Sequence, residues 1–257
     1  MSVQDRINQA VYHAKGIERA YRSMQLSAAE ASVLMKYQRY FADRDVLDLG
    51  VGTGRTTHYL EPLARRYVGI DYSPHMIKHM HAHFPNACTL LADMRHLSMF
   101  DDESFDFVIG SNNVMDAVSH ADRLTVLGEV QRILRAGGLF VFSSHNRDYA
   151  KATSGPRLQL SRNPATQLRN LASFVRQLFN HRRTRKLRKI ETEYSLLDDG
   201  GHDYLLLHYY VDRSHGELQL SRVGFEMLDV FAHSGLVKAR DEKDVVSPSL
   251  YYVARRL

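Results

Sequence analysis

The sequence predicts an α/β fold, a doubly wound parallel sheet covered by helices on both faces. Three observations carry that reading. Short apolar runs alternate with helical patterns from residue 45 to 144, as strands and crossover helices do. Gly50, Asp71, Asp93 and Ser111 fall at the carboxyl ends of successive strand-like runs. After the run Val46-Leu47-Asp48-Leu49 come Gly50, Gly52 and Gly54, a spacing that lets backbone approach a ligand closely. Ligands of such sheets bind beyond the strands' carboxyl ends, so these scattered residues belong to one cleft.

Residues 3–42 read as two helical stretches, with Val11, Ala14, Ile17, Ala20 and Tyr21, then Val33, Leu34, Tyr37 and Phe41, at near-helical spacing. The core then reads strand 45–49, helix 54–65, strand 67–71, helix 74–82, strand 88–92, strand 105–111, helix 121–135 and strand 139–144. After Asn146 the alternation stops. Asn163-Pro164 is a cap followed by proline at the first helical position, opening a helix over 164–181. Its stripe of Leu168, Leu171, Phe174, Val175, Leu178 and Phe179 reads first as the core-facing side of a lid helix. Two strand-like runs, 191–197 and 203–211, flank Asp198-Asp199-Gly200-Gly201 and predict an antiparallel hairpin. Alternation there puts His208 and Tyr210 on one face and Tyr209 on the other. Ser214 with Glu217 suggests a capping box for a short helix ending near Gly224, before final strands at 225–231 and 249–255.

The cofactor class follows from what stands near the glycines. Asp71 lies about twenty residues downstream, where a doubly wound fold sets an acid on ribose hydroxyls. A dinucleotide fingerprint would need glycine where this chain has Arg55.

At this point a family resemblance is carried by five segments in order. Val46-Leu47-Asp48-Leu49-Gly50-Val51-Gly52-Thr53-Gly54 resembles the first motif of class I S-adenosylmethionine-dependent methyltransferases, and Val68-Gly69-Ile70-Asp71-Tyr72-Ser73-Pro74-His75-Met76 the second. Leu90-Leu91-Ala92-Asp93-Met94 resembles the third, Phe105-Asp106-Phe107-Val108-Ile109 the fourth strand, and Ile133 to Val141, with Gly137-Gly138, the turn into the fifth. The resemblance covers roughly residues 44–147. It implies a Rossmann-like seven-stranded sheet with an antiparallel last strand. One domain, 1–257, would then comprise an N-terminal helical arm (1–43), a cofactor-binding core (44–147), a helix-plus-hairpin lid insertion (148–212) and the last helix and strands (213–257).

The same resemblance implies S-adenosyl-L-methionine as cofactor and distributes roles along the chain. Asp48 would order the glycine loop or meet the cofactor's amino group; Asp71, with Tyr72 and Met76 nearby, would take the ribose; Asp93 and Met94 the adenine; Ser111 and Asn112 the surroundings of the sulfonium. The arm would close over the methionine part through Tyr12, Tyr21 and Arg22, unless those aromatics only pack a helix on the sheet. For the acceptor, His145 at a strand end is the first choice as base or orienter, since an imidazole accepts protons near neutrality; a plain hydrogen-bonded loop histidine is the alternative. Asp116 is the second catalytic candidate, and His120, Asn146, His202, His208, Tyr209 and Tyr210 are candidates for binding substrate.

Composition narrows the partners. The 257 residues are 44% hydrophobic and 25% charged, ordinary for one globular domain. No window is apolar enough to span a membrane, and the first residues lack a signal-peptide core, which predicts a cytoplasmic protein, monomeric or homodimeric. The lone Cys88 reads as buried filler. No metal is expected despite fourteen histidines, because His75, His79, His81 and His83 read as one solvated helix face. The net charge of +5 is local: residues 149–190 hold eleven Lys or Arg and no acid, leaving 23 basic against 29 acidic residues elsewhere.

Three functions are compatible with these features. The first is methyl transfer to nitrogen or oxygen of a small-molecule acceptor. The second is an RNA methyltransferase using basic residues 151–189 on phosphates, disfavoured by the absence of a separate RNA-binding module. The third is a methyltransferase-like protein docked by helix 164–181 on an anionic membrane or a partner.

Overall fold

The computed structural model describes residues 2–14, 16–21, 25–240 and 242–257, with backbone alone at Arg19 and Ala20. Its elements are α1 (Val3–Tyr12), α2 (Ala28–Tyr37), β1 (Asp45–Leu49), α3 (Thr57–Leu60), β2 (Arg66–Asp71), α4 (Pro74–His83), β3 (Cys88–Leu91), β4 (Phe105–Gly110) and α5 (His120–Ile133). There follow β5 (Leu134–Asn146), α6 (Pro164–Thr184), β6 (Lys189–Ile190), β7 (Ser195–Leu197), β8 (His208–Val211), α7 (Arg213–Arg222), β9 (Phe225–Phe231) and β10 (Ser249–Arg256).

The strands join in the order β3-β2-β1-β4-β5, with β10 antiparallel on β5 and β9 antiparallel on β10. The order reverses at β1/β4, so the cleft opens there. Strand alternation feeds two cores. Leu47, Leu49, Val108, Phe140 and Phe142 meet Val126, Leu127 and Val130 of α5 on one face; Val46, Phe107, Ile109 and Val141 meet Val33, Leu34 and Tyr37 of α2 on the other. Each such large side chain contributes about 1.5–3 kcal/mol by leaving water.

The segment between β5 and α7, expected to form a lid, extends the same sheet. Pairing of β4 with β5 ends at Gly110↔Phe142, so the edge of β5 beyond that point is open, and β8 takes it in parallel through His145↔Tyr210 and Asn146↔Val211. The predicted hairpin forms, with β7 antiparallel to β8 at Leu196↔Tyr209. It is shorter than expected, because 201–204 turns as a 3-10 segment in which His202, Asp203 and Tyr204 all take positive φ. The arm is tied to this lid. Gln4 Nε2 donates to the carbonyls of Asp116 (3.2 Å) and Leu207 (3.1 Å), and Asn8 Nδ2 to those of Ala117 and Leu207 (both 2.8 Å).

Several expectations need correction. The helix expected over 54–65 is α-helical only at 57–60, since Pro62 cannot continue it. Asp212, not Ser214, caps α7: its carboxylate accepts from His215 N at 3.0 Å. Cys88 is exposed, because β3 is the sheet's edge strand and buries only Thr89. Asn163 caps α6 as expected, accepting from Thr166 N, with Pro164 next. Only part of the α6 stripe faces inward: Phe174 and Leu178 are half-buried, whereas Leu168, Leu171, Val175 and Phe179 are exposed.

Candidate active site

Backbone builds the first half of the cleft. Gly50 has φ +67°, and a Cβ there would lie 2.3 Å from Val114 Cγ2. Gly54 has φ +89°, and a Cβ would strike the Phe84 ring at 2.3 Å, so glycine lets α4 close on the loop. Asp71 at the end of β2 accepts from Gly52 N (3.0 Å) and Ser73 N (2.8 Å), fixing its carboxylate and leaving lone pairs for a diol. Burial pushes its pKa up, only partly offset by those amides.

Two small cavities meet at Gly50, Asp71 and Tyr72. One, of about 50 Å³, is a slot between Ile70, Ala92, Met94 and Val118, with Asp93 at its wall. The other, of about 100 Å³, lies between the glycine loop, Met76, Ser111, Asn112, Tyr12 and Tyr21. Tyr12 packs edge-on to Tyr72 with centroids 6.2 Å apart. Of the arm's candidates, Tyr12 and Tyr21 thus reach the cleft, and Arg22 lies outside the described residues.

Side chains build the second half. A cavity of about 640 Å³ continues from Tyr12, Tyr21 and Asn112 to His145, Asp199, His202, His208 and Tyr210. Asp116 is fully buried behind it, ion-paired with Arg123 Nη1 at 3.0 Å. A carboxylate only accepts, so its 2.7 Å contact with His145 Nδ1 puts the proton on Nδ1 and leaves Nε2 as an acceptor, to which Asn113 Nδ2 donates. Nε2 lies 3.3 Å from Asn113 Nδ2 and 3.5 Å from Asp199 Oδ2. Asn112 and Asn113 both have positive φ (53° and 60°), a conformation asparagine tolerates better than most residues.

Asp199 is the center of the lid wall. His208 Nδ1 (2.7 Å), the Tyr210 hydroxyl (3.0 Å) and Gly201 N (2.8 Å) all donate to it. Burial opposes its charge, but the charge and hydrogen bond of His208, with His145 beyond, outweigh burial and hold Asp199 far below the usual carboxylate range. Burial likewise lowers His208, yet Asp199 prevails and holds it above its ordinary value. Tyr21 closes the side, its hydroxyl 2.8 Å from His202 Nε2.

Some candidates do other work. Asp48 points away from the cleft, accepting from the Thr56 hydroxyl and from Tyr67 (2.9 Å); burial pushes its pKa up to about 6. It therefore anchors the turn after the glycine loop and does not reach an amino group. Asp93 is clasped by Arg95, and although burial opposes its charge, those bonds hold its pKa low. The Ser111 hydroxyl donates to Glu30, which also pairs with Arg55. His120 and Tyr209 lie on the far face of β8, joined at 2.7 Å and stacked with Tyr194, so neither lines the cavity. Asn146 is not a substrate contact either, since its amide holds the carbonyls of Asp244 and Ser247. Asp116 touches His145 and does not line the cavity. Asp199, Glu30 and Gln4 were missed. Asp199 is half of an acidic pair in a turn, which reads as turn chemistry alone.

His145, Asp199 and His208 present donor atoms within 4.8 Å of one another and so form a set that could hold a metal ion, which histidine spacing on one helix did not reveal. As placed, Asp199 Oδ2 is the shared acceptor of hydrogen bonds from His208 and Tyr210.

Comparison with known proteins agrees with this geometry. Residues 46–138 match the family model described as a methyltransferase domain. A probable S-adenosylmethionine-dependent methyltransferase of Mycolicibacterium smegmatis is 32% identical over 111 residues, 41% of this chain and 40% of that protein. An uncharacterized protein of Methanocaldococcus jannaschii is 30% identical over 134 residues, 52% of this chain and 49% of its own. The matches thus span less than half the length of these relatives. Among solved structures, the 1,6-didemethyltoxoflavin-N1-methyltransferase of Burkholderia thailandensis, holding its substrate and S-adenosylhomocysteine, superposes with TM-score 0.62 at 13% identity over 100% of this chain and 91% of that one. An S-adenosylmethionine-dependent methyltransferase of Clostridium acetobutylicum gives 0.61 at 15% identity, covering 93% and 94%.

Proposed function

We propose that this chain, whose residues 46–138 match a methyltransferase-domain family model, is a class I S-adenosylmethionine-dependent methyltransferase that methylates a nitrogen or oxygen of a small polar acceptor, with His145 as general base. The carrying observation is the Asp116–His145 contact, which leaves Nε2 as a proton acceptor facing the 640 Å³ cavity. That volume suits a small molecule, and its wall of histidines, tyrosines and Asp199 suits one rich in hydroxyl or amino groups.

The described residues fit the cofactor. Gly50 lets the loop close against Val114, which lines both small cavities, Asp71 keeps lone pairs free, and the slot between Ile70, Ala92 and Met94 suits a flat base. S-adenosylmethionine supplies an electrophilic sulfonium methyl, so an acceptor lone pair forms the new bond to carbon as S-adenosylhomocysteine leaves. His145 Nε2 takes the acceptor's proton. Asp116, bound to Arg123, then balances the imidazolium from behind, and the ionised Asp199 faces it across 3.5 Å. Positioning supplies much of the remaining acceleration, which the fixed Asn112-Asn113 turn and the lid provide.

The test is transfer of labelled methyl from S-adenosylmethionine to a panel of hydroxylated and amino compounds. A product whose formation His145→Ala removes supports the reading. Methyl transfer confined to RNA, or a rate unchanged in His145→Ala, contradicts it.

A further inference from the structure

Helix α6 is amphipathic the wrong way round for a core element. A surface helix ordinarily buries its apolar stripe and wets its polar side. Here the polar side is docked: Gln177 Nε2 donates to Asp203 Oδ1 (3.1 Å), Asn180 Nδ2 to the Asp203 carbonyl (2.9 Å), and the Thr184 hydroxyl to Asp198 Oδ2 (2.7 Å). His181 Nδ1 joins Asp198 at 2.6 Å. These bonds fix the helix rotation, keep Phe174 and Leu178 half-buried and turn the rest of the stripe outward, leaving Leu168 70%, Val175 59% and Phe179 62% exposed. At 21 residues the helix is roughly 31 Å long at 1.5 Å per residue.

Charge identifies what would cover this face. Arg169, Arg176 and Arg183 follow one flank of the stripe at seven-residue spacing, Arg176 also pairing with Asp203 at 2.7 Å, and the helix runs into a basic cluster from Arg182 to Lys189 in which Arg188 pairs with Asp198. With eleven positive charges and no acid over 149–190, two copies meeting through this face would place like charges together. An anionic surface is the complement. The pattern of apolar stripe, basic margins and modest overall hydrophobicity is that of a helix lying in a lipid interface. Among the described residues no helix is long and apolar enough to cross a membrane, so the contact is peripheral.

We propose that the outer face of α6 docks this protein on an anionic lipid surface, with Leu168, Leu171, Val175 and Phe179 entering the acyl boundary and the flanking arginines meeting headgroups. The segment that α6 clasps, 198–204, includes the Asp199–His202 wall of the acceptor cavity. Docking therefore sets that cavity close to the lipid headgroups. The inference stands on the helix alone and does not depend on the methyl acceptor.

The experiment is flotation of the full chain with vesicles of phosphatidylcholine, with and without phosphatidylglycerol. Flotation is expected only with phosphatidylglycerol, weakened by salt. Phe179→Glu combined with Leu168→Glu should lower the partition coefficient on the order of tenfold or more, since two apolar side chains no longer enter the bilayer. Circular dichroism and S-adenosylmethionine binding should not change, because both residues are exposed. Absence of flotation overturns the proposal, as does flotation that the double variant leaves intact. A dimer in sedimentation that the double variant dissolves would assign the face to a second copy, and RNA binding that competes off the vesicles but ignores the double variant would assign the charge to nucleic acid; either result overturns it.

Discussion

The two halves of the cleft are built by different means. Between residues 46 and 94 the cofactor side is made of backbone: glycines at positive φ, and an Asp71 carboxylate held by main-chain amides two and nineteen residues away. The acceptor side is made of side chains brought from separate elements. Asp116 follows β4, His145 ends β5, Asp199 starts the lid turn and His208 opens β8, so the shortest of the spacings joining them is nine residues. Backbone geometry repeats wherever the same turn is needed, so the first half is shared across a family. Side-chain geometry is specific to one chain, and on the proposed function the second half would carry the choice of acceptor.

The sharpest way to break this contrast is to remove one group from each half. His145→Ala should reduce kcat on the order of 10²–10⁴-fold, the usual contribution of a positioned base, with little change in cofactor affinity; steady-state kinetics on an identified acceptor reads both. Asp71→Asn should weaken S-adenosylmethionine binding roughly 10- to 100-fold, as expected for losing charge-assisted hydrogen bonds in a buried site.

A smaller effect separates the halves by pH. Asp199 has a depressed pKa, so its contribution is present above its unfolded value of 3.8 and is lost as pH falls through the lower folded value. His208 has a raised pKa, so its contribution is present below 6.5 and is lost as pH rises through the higher folded value. The lid should therefore be tightest between those limits and loosen above 6.5. Hydrogen exchange across 199–211, corrected for intrinsic rates, should show this, and Asp199→Asn should abolish it; a lid whose protection is flat with pH would contradict the ion pair. The least effect is expected at Cys88. It should react with a maleimide in the folded protein, and cofactor affinity should stay within about twofold, because it lies on an exposed edge strand.

What could be read from sequence follows the same division. The parallel core, the glycine loop, Asp71 and the Met94 slot are legible because each rests on local spacing, and the hairpin is legible because strand alternation is local too. His145, His202, His208 and Tyr210, all four of which line one cavity, could be named as polar groups. Their partners could not. That Asp116 stands behind His145, that Asp199 gathers His208 and Tyr210, and that His120 and Tyr209 face the other way depend on how β8 joins the free edge of β5. Of the two roles expected of Asp48, ordering the glycine loop is the one its bonds with Thr56 and Tyr67 fit, and the sequence could not tell it from a ligand group. The stripe on α6 misled in part. Periodicity gives the two faces of a helix, and only the hydrogen bonds of Asn180, His181 and Thr184 decide which one turns inward.

The most direct test of a backbone-built cofactor half beside a side-chain-built acceptor half is calorimetric titration of S-adenosylmethionine into the wild-type chain, Asp71→Asn and His145→Ala. The expected result is one-site binding to the wild type, retained within about twofold by His145→Ala and weakened at least about tenfold by Asp71→Asn. No binding to the wild type, or equal weakening in both variants, would contradict it.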